Sequence, residues 1–198
     1  MENKNAFAEV IESSLSGWVA QSWQWNRFPL FGSLVTIESK KRTLLGLIYQ
    51  INTGSMDPTR YPFPYQKTES ELLAEQPQIF EFLKTTFLSM TVGYIEHGHT
   101  THLLAPEPPH IHAFVQEASK TESQVFFSSE QFLHLIFGSL APVNLDELLL
   151  ANLNYQKKLG ILTQERLNRF VETYALLIGK DYRRLKFFAQ RIEHSIAL

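Results

Sequence analysis

Five of the chain's seven histidines lie between Tyr94 and His112, in "YIEHGHTTHLLAPEPPHIH": His97, His99, His102, His110 and His112. Imidazoles at this density can bind a metal or move protons near neutral pH. A metal site needs about three convergent ligands at ~2.0–2.2 Å. Residues two apart on a strand share a face, so His97 and His99 form one pair and His110 and His112 another. If the strands carrying them are neighbours, four imidazoles converge, and that set is the metal-dependent alternative. A second reading makes Gly98 the tip of a hairpin whose flanking histidines splay into solvent. His110 follows Pro109, so it sits on extended backbone at a joint. A cupin-type H-x-H motif would be followed within a few residues by a glutamate. Here "TTHLLAPEPP" follows His99, and the first acid is Glu107. The expectation is surface and joint histidines, with no metal and no cofactor.

Other chemistry is sparse. Cysteine is absent, which removes disulfides, thiolate metal sites and a thiol nucleophile. No G-x-S-x-G elbow occurs, and "IGKDY" lacks the glycine loop and the Ser/Thr of a nucleotide-binding P-loop. Glu69 and Glu71 fall in a charged loop and read as solvated. Arg60, Tyr61, Phe63 and Tyr65 form an aromatic and proline-rich run beside a cation, a composition enriched at binding hot spots. Those rings either meet a protein partner or fold back to plug the end of a barrel.

The net charge of −2 is unevenly distributed. From Gln156 to Leu198 nine basic residues face four acidic ones, a local +5, so the remainder carries −7. Arg183, Arg184 and Lys186 are the nucleic-acid candidates of that tail. Basic and apolar residues alternate there, however, which also describes the solvated faces of packed helices.

The elements that must hold these residues follow from periodicity. "GWVAQSWQW", "FGSLVTIES" and the nearly all-apolar "TLLGLIYQI" read as strands, the last buried on both faces. Phe7 to Leu15 also fits an amphipathic helix. An excursion from Asn52 to Gln78 contains Pro58, Pro62 and Pro64, then a short helix "ESELLAEQ" capped by Thr68 or Ser70. Strand character resumes in "QIFEFLKTTFLSMTVGYIEHG" and continues in "THLLA" and "IHAFVQEAS". From Ser128 the pattern is helical. Ser128, Asn144, Thr163 and Asp181 start four helices, and Gly138, Gly160 and Gly179 end the first three. Strands followed by helices define an α+β fold: a small closed β-barrel over 1–125 with the 52–78 insertion, then a helical region over 126–198. "MENKNAFAEV" has no signal-peptide pattern and no apolar run reaches ~20 residues, so a soluble cytoplasmic protein without a membrane span is expected.

"PLFGSLVTIESKKRTLLGLIYQI" followed by "TVGYIEHG" resembles the HerA–ATP synthase barrel, the HAS barrel. The shared features are a glycine before an apolar strand (Gly32 to Ile37), a turn, and a strand with an embedded glycine (Gly46 within Leu45 to Ile51). "PPHIHAFV" resembles stand-alone relatives, and the likeness covers roughly residues 8 to 118. It implies a six-stranded barrel serving as a structural collar for ring assembly and partner docking. The ATPase core of the large family members has no counterpart here, so none of their catalytic residues transfers. The resulting expectation is a non-enzymatic docking protein with a protein partner or a second copy of itself, accessory to a ring ATPase or DNA-processing complex.

Overall fold

The computed structural model describes residues 5–39, 41–57, 59 and 62–196. Its first hairpin joins β1 (Ala8–Ser13) to β2 (Gly17–Ser22). The helical alternative for Phe7 to Leu15 is therefore wrong. Ala8 and Val10 are wholly buried while Ile11 is exposed, a period of two rather than 3.6. β3 (Leu34–Glu38) and β4 (Thr43–Ser55) form the second hairpin, and β5 (Leu83–Glu96) runs antiparallel to β4 along almost its whole length. β6 (His99–Thr101) and β7 (Phe114–Glu117) complete the sheet. The order is β2-β1-β7-β3-β4-β5-β6, and a further β2–β5 pairing closes six strands into an antiparallel barrel with β6 outside it. Closure leaves the barrel strands without a free edge.

Alternation sorts the side chains. Val35, Ile37, Leu44 and Ile48 point inward with Trp18, Phe87 and Val115. A Cβ on Gly46 would lie 2.4 Å from the Trp18 ring, so the embedded glycine makes room for the indole. Leu34, Leu45, Leu47, Met90 and Val92 point outward into a second cluster shared with the helices. That is why "TLLGLIYQI" is apolar on both faces.

Two strand expectations shrink. "THLLA" is a strand only to Thr101, and Leu103 and Leu104 are exposed. β6 pairs with β5 alone, and its ladder ends where Thr101 meets Tyr94. "IHAFVQEAS" is a strand only over β7, because His112 adopts φ 66, which breaks the extended run. Conversely, α1 (Glu69–Glu75) starts at Thr68 with a full capping box to Glu71, and β4 extends through Ser55. α2 (Gln78–Glu81) replaces the strand expected at "QIFE".

The helical part begins earlier than expected. α3 (Lys120–Phe126) is capped by Ser119, the last residue of the stretch read as strand, with Glu122 reaching back in a capping box. α4 (Phe132–Phe137) follows. Ser128 does not cap it: its hydroxyl donates to the Val125 carbonyl at 2.7 Å and closes the turn after α3 instead. α5 (Leu145–Lys158), α6 (Gln164–Ile178) and α7 (Tyr182–Ser195) start at Asn144, Thr163 and Asp181 as the sequence predicts. Each cap side chain accepts an otherwise unpaired backbone N–H.

Aromatic rings bind the helices together. Tyr174 and Phe188 stack at 4.1 Å, and Phe132, Phe170 and Phe188 follow at 6.5 Å steps. Phe126 links this row to His102, just past β6, at 4.8 Å. α5 meets the barrel at Gly32, whose carbonyl accepts from Asn152 Nδ2 at 2.9 Å while Asn152 Oδ1 accepts from Gln156 Nε2. Among the described residues, no helix is long and apolar enough to cross a membrane.

Candidate functional site

The histidines are dispersed in role. Glu96 and His99 face each other across the β5–β6 hairpin, with His97 (φ 51) and Gly98 (φ 79) between them. Two left-handed residues in a two-residue loop make a type I′ turn, so Gly98 sits at the tip as expected. His97, His99 and His110 are exposed. His112, also exposed, places Nδ1 3.2 Å from Glu9 Oε2, and Glu9 Oε1 accepts from Trp23 Nε1. Among the described residues, no group of three His, Asp or Glu side chains is placed to hold a metal ion.

The fifth histidine of the cluster is different. His102 Nε2 lies 3.0 Å from the Phe126 carbonyl, and its ring packs on Phe126 and Phe132. Burial holds this imidazole below its ordinary range, against the opposing pull of the Phe126 carbonyl and the Glu130 charge. The folded state thus binds fewer protons at His102 than the unfolded state. Its contribution is complete above the ordinary histidine pKa of about 6.5 and fades as pH falls from there toward the depressed value. Urea denaturation of the wild type between pH 7.5 and 5 should show this loss, and His102→Gln should reduce the slope. An unchanged slope in the variant would remove His102 from the account.

The partner-binding candidates lie on the excursion between β4 and β5. Arg60 and Tyr61 lie outside the described residues. Phe63 is 70% exposed and meets Tyr65 edge-on at 5.7 Å. These two rings do not plug the barrel; they stand on its outside. α1 and α2 contribute no buried residue, and Met56, Leu73 and Phe82 are exposed with them. Trp25 stacked on Phe80 at 5.4 Å ties the excursion back to the barrel.

The basic tail is largely engaged. Arg184 forms a two-pronged pair with Asp146, 2.7 Å at its shortest, and Tyr174 donates its hydroxyl to the same carboxylate at 3.0 Å. Burial, and then that bond to Asp146, push the Tyr174 phenol well above its ordinary range. Arg191 pairs with Glu147 at 2.7 Å, and Arg169 with Glu130 and Glu165. Arg183 and Lys186 remain exposed, with the Arg183 guanidinium over the Phe187 ring at 5.6 Å.

One feature escapes local sequence reading. A cleft of about 590 Å³ opens between the β1–β2 end of the barrel and the α4–α5 connection. Trp18, Ser89 and Thr91 line it, each at most 4% exposed. Trp18 Nε1, Ser89 Oγ and Thr91 Oγ1 find no hydrogen-bond partner among the described residues. Its lining comes from segments more than a hundred residues apart, so no motif announces it.

Fold and surface together define an α+β barrel protein with a packed helical flank and an exposed aromatic excursion. No protein-family model matches the chain, and no curated protein matches it.

Proposed function

We propose that this chain is a non-enzymatic docking module: barrel and helices form the platform, and the excursion Met56 to Phe82 carries the contact surface. One observation supports this above others. Five large apolar side chains, Met56, Phe63, Tyr65, Leu73 and Phe82, are exposed on a single excursion whose two helices bury nothing. Large apolar side chains grouped on one exposed excursion mark a surface that a second surface covers. The partner class, a ring ATPase or DNA-processing complex, rests on the resemblance of Gly32 to Ile51 and of Thr91 to Gly98 to HAS-barrel segments. A second copy of the chain is the other occupant this surface admits.

The double substitution Phe63→Ala and Tyr65→Ala should weaken partner capture or self-association at least tenfold, roughly 1.4 kcal/mol or more. Both side chains are exposed, so the melting temperature should hold. Affinity capture with mass spectrometry reads the partner, and sedimentation reads self-association. Undiminished capture and unchanged oligomeric state would move the contact surface elsewhere.

A further inference from the structure

We propose that a second copy of this chain pairs along the open edge of β4, strand against antiparallel strand, about a two-fold axis at Thr53. The inference does not rest on the docking reading: it uses backbone groups at the root of the excursion, not the rings carried on it.

The closed part of the barrel has no free edge, but β4 outruns it. β3 accompanies β4 only as far as Ile48, whose N–H donates to the Ser33 carbonyl and whose carbonyl accepts from the Gly32 N–H. From there β4 continues to Ser55 paired with β5 alone. Facing residues of an antiparallel pair alternate between exchanging hydrogen bonds and turning those groups to the opposite side. The Met56 N–H donates to the Phe82 carbonyl at 2.7 Å, and the register is unbroken from Gln50 to Ser55. Gly54, Asn52 and Gln50 therefore bond to β5, while Ile51, Thr53 and Ser55 direct their N–H and C=O groups to the open side. Among the described residues, no backbone group pairs with them there. Asn52 and Thr53 are exposed, and a Cβ on Gly54 would meet nothing within 4 Å.

An open edge pairs with any strand that reaches it, and folded proteins blunt such edges with short length, lysine, proline or a bulge. β6, the outer strand, follows that rule with 3 residues. The β4 edge, "QINTGS", carries no charge and no proline, and its bulge falls before it, between Ile48 and Gln50. Ile51 and Thr53 favour strands. Nothing on the edge itself opposes pairing.

Self-complementarity selects a second copy as the occupant. An axis at Thr53 sets that residue against its own copy and Ile51 against the copy's Ser55. Each outward N–H then meets a C=O, so both edges are satisfied at once. No like charges face each other, and threonines opposite one another across strands attract. Met56, exposed at the end of the arm, comes opposite the copy's Gln50 and extends the contact.

Sedimentation velocity on the full chain over a wide concentration range should show a reversible monomer–dimer equilibrium. Thr53→Lys places like charges face to face on the axis, and Thr53→Pro removes the outward N–H at a position where an edge strand tolerates proline. Each should weaken dimerisation at least roughly tenfold. Both also lose the contact between the Thr53 and Thr85 hydroxyls. Thr53→Val loses the same contact and should remain dimeric. Thr53→Lys mixed with Thr53→Glu should restore the dimer, because unlike charges then meet; a folding defect would not be rescued this way. Phe63→Ala with Tyr65→Ala should leave this dimer intact, whatever its effect on another partner. A wild type that stays monomeric throughout leaves the edge to a foreign strand or to water and overturns the proposal. So would a dimer insensitive to both Thr53→Lys and Thr53→Pro, an equal loss in Thr53→Val, a mixture that fails to reassociate, or a dimer lost with the ring substitutions but kept with those at Thr53.

Discussion

Replacing Gly32 by alanine is expected to lower the unfolding free energy by roughly 3 kcal/mol, combining a left-handed backbone cost of ~1–2 kcal/mol with an overpacking cost of ~1–3 kcal/mol. Gly32 has φ +78, a conformation that L side chains rarely adopt. An added Cβ would also lie 2.7 Å from the Asn152 nitrogen and 2.8 Å from the Ala151 carbonyl carbon and Cβ. Two of those three atoms are α5 backbone, so the helix itself must move. That movement strains the bond from Asn152 Nδ2 to the Gly32 carbonyl, which joins barrel to helix. Gly98 provides the control. It too has a positive φ, +79, but a Cβ there would meet nothing within 4 Å. Gly98→Ala should therefore cost only the backbone share, about 1 kcal/mol. Chemical denaturation of both variants separates the two contributions. If Gly32→Ala costs no more than Gly98→Ala, the close approach of α5 to the barrel is not a source of stability.

Local rules revealed the parts of the fold that local physics decides. Alternation found β2, β3 and β4, and caps found α1, α5, α6 and α7, because Thr68, Asn144, Thr163 and Asp181 act within three residues of themselves. The "NLDE" start of α5 has a cap side chain, early acids and an apolar run that agree. Short elements were harder. α3 spans 7 residues and follows a 4-residue strand, so neither completes enough periods to be recognised. Its cap, Ser119, is the last residue of "IHAFVQEAS", which reads as extended, and Glu122 lies three residues beyond it. Barrel closure depends on β2 pairing with β5, which lies some seventy residues further along the chain, and no spacing rule encodes that partner.

The candidate sites divide along the same line. Gly98 at a hairpin tip is a property of a dipeptide, and the sequence shows it. Whether Phe63 and Tyr65 face water depends on what the barrel leaves uncovered, which only the assembled fold decides. The basic tail seemed available because Asp146, the partner of Arg184, is 38 residues away. The charge imbalance has a structural use: the early acids of α5, Asp146 and Glu147, receive Arg184 and Arg191 from α7. Pairing of this kind across helices is worth little when exposed, but the Asp146 site is half-buried and also holds the Tyr174 hydroxyl. The cleft was invisible for the same reason as closure. Trp18 and Ser89 become neighbours only when β2 pairs with β5, and Leu140 joins them only after the helices dock.

Phe126→Ala is expected to destabilise the whole protein by about 3–5 kcal/mol, the range for deleting a large ring from a sealed core. Phe126 is 0% exposed. Its ring meets His102 at 4.8 Å, Phe127 at 5.0 Å and Phe132 at 5.4 Å, and its edge approaches the backbone at Gly93 in β5. It therefore touches the barrel wall, the outer strand's exit and α4 at once. The outward barrel side chains Leu34, Leu45, Leu47, Met90 and Val92 belong to the same apolar cluster as the helical core. If barrel and helices share one core, they unfold together. The tryptophans report on the barrel, since Trp18 is in β2 and Trp23 and Trp25 follow it, while circular dichroism at the helical band reports on α3 to α7. In the variant both signals should shift to lower denaturant by the same amount and remain superimposed. A helical transition that moves while tryptophan fluorescence stays at the wild-type midpoint would show two independent folding units, with Phe126 belonging only to the second. Phe126→Leu, which retains much of the volume, should recover more than half of the loss and keep the two transitions coincident, because filling the joint, rather than aromaticity, couples the halves.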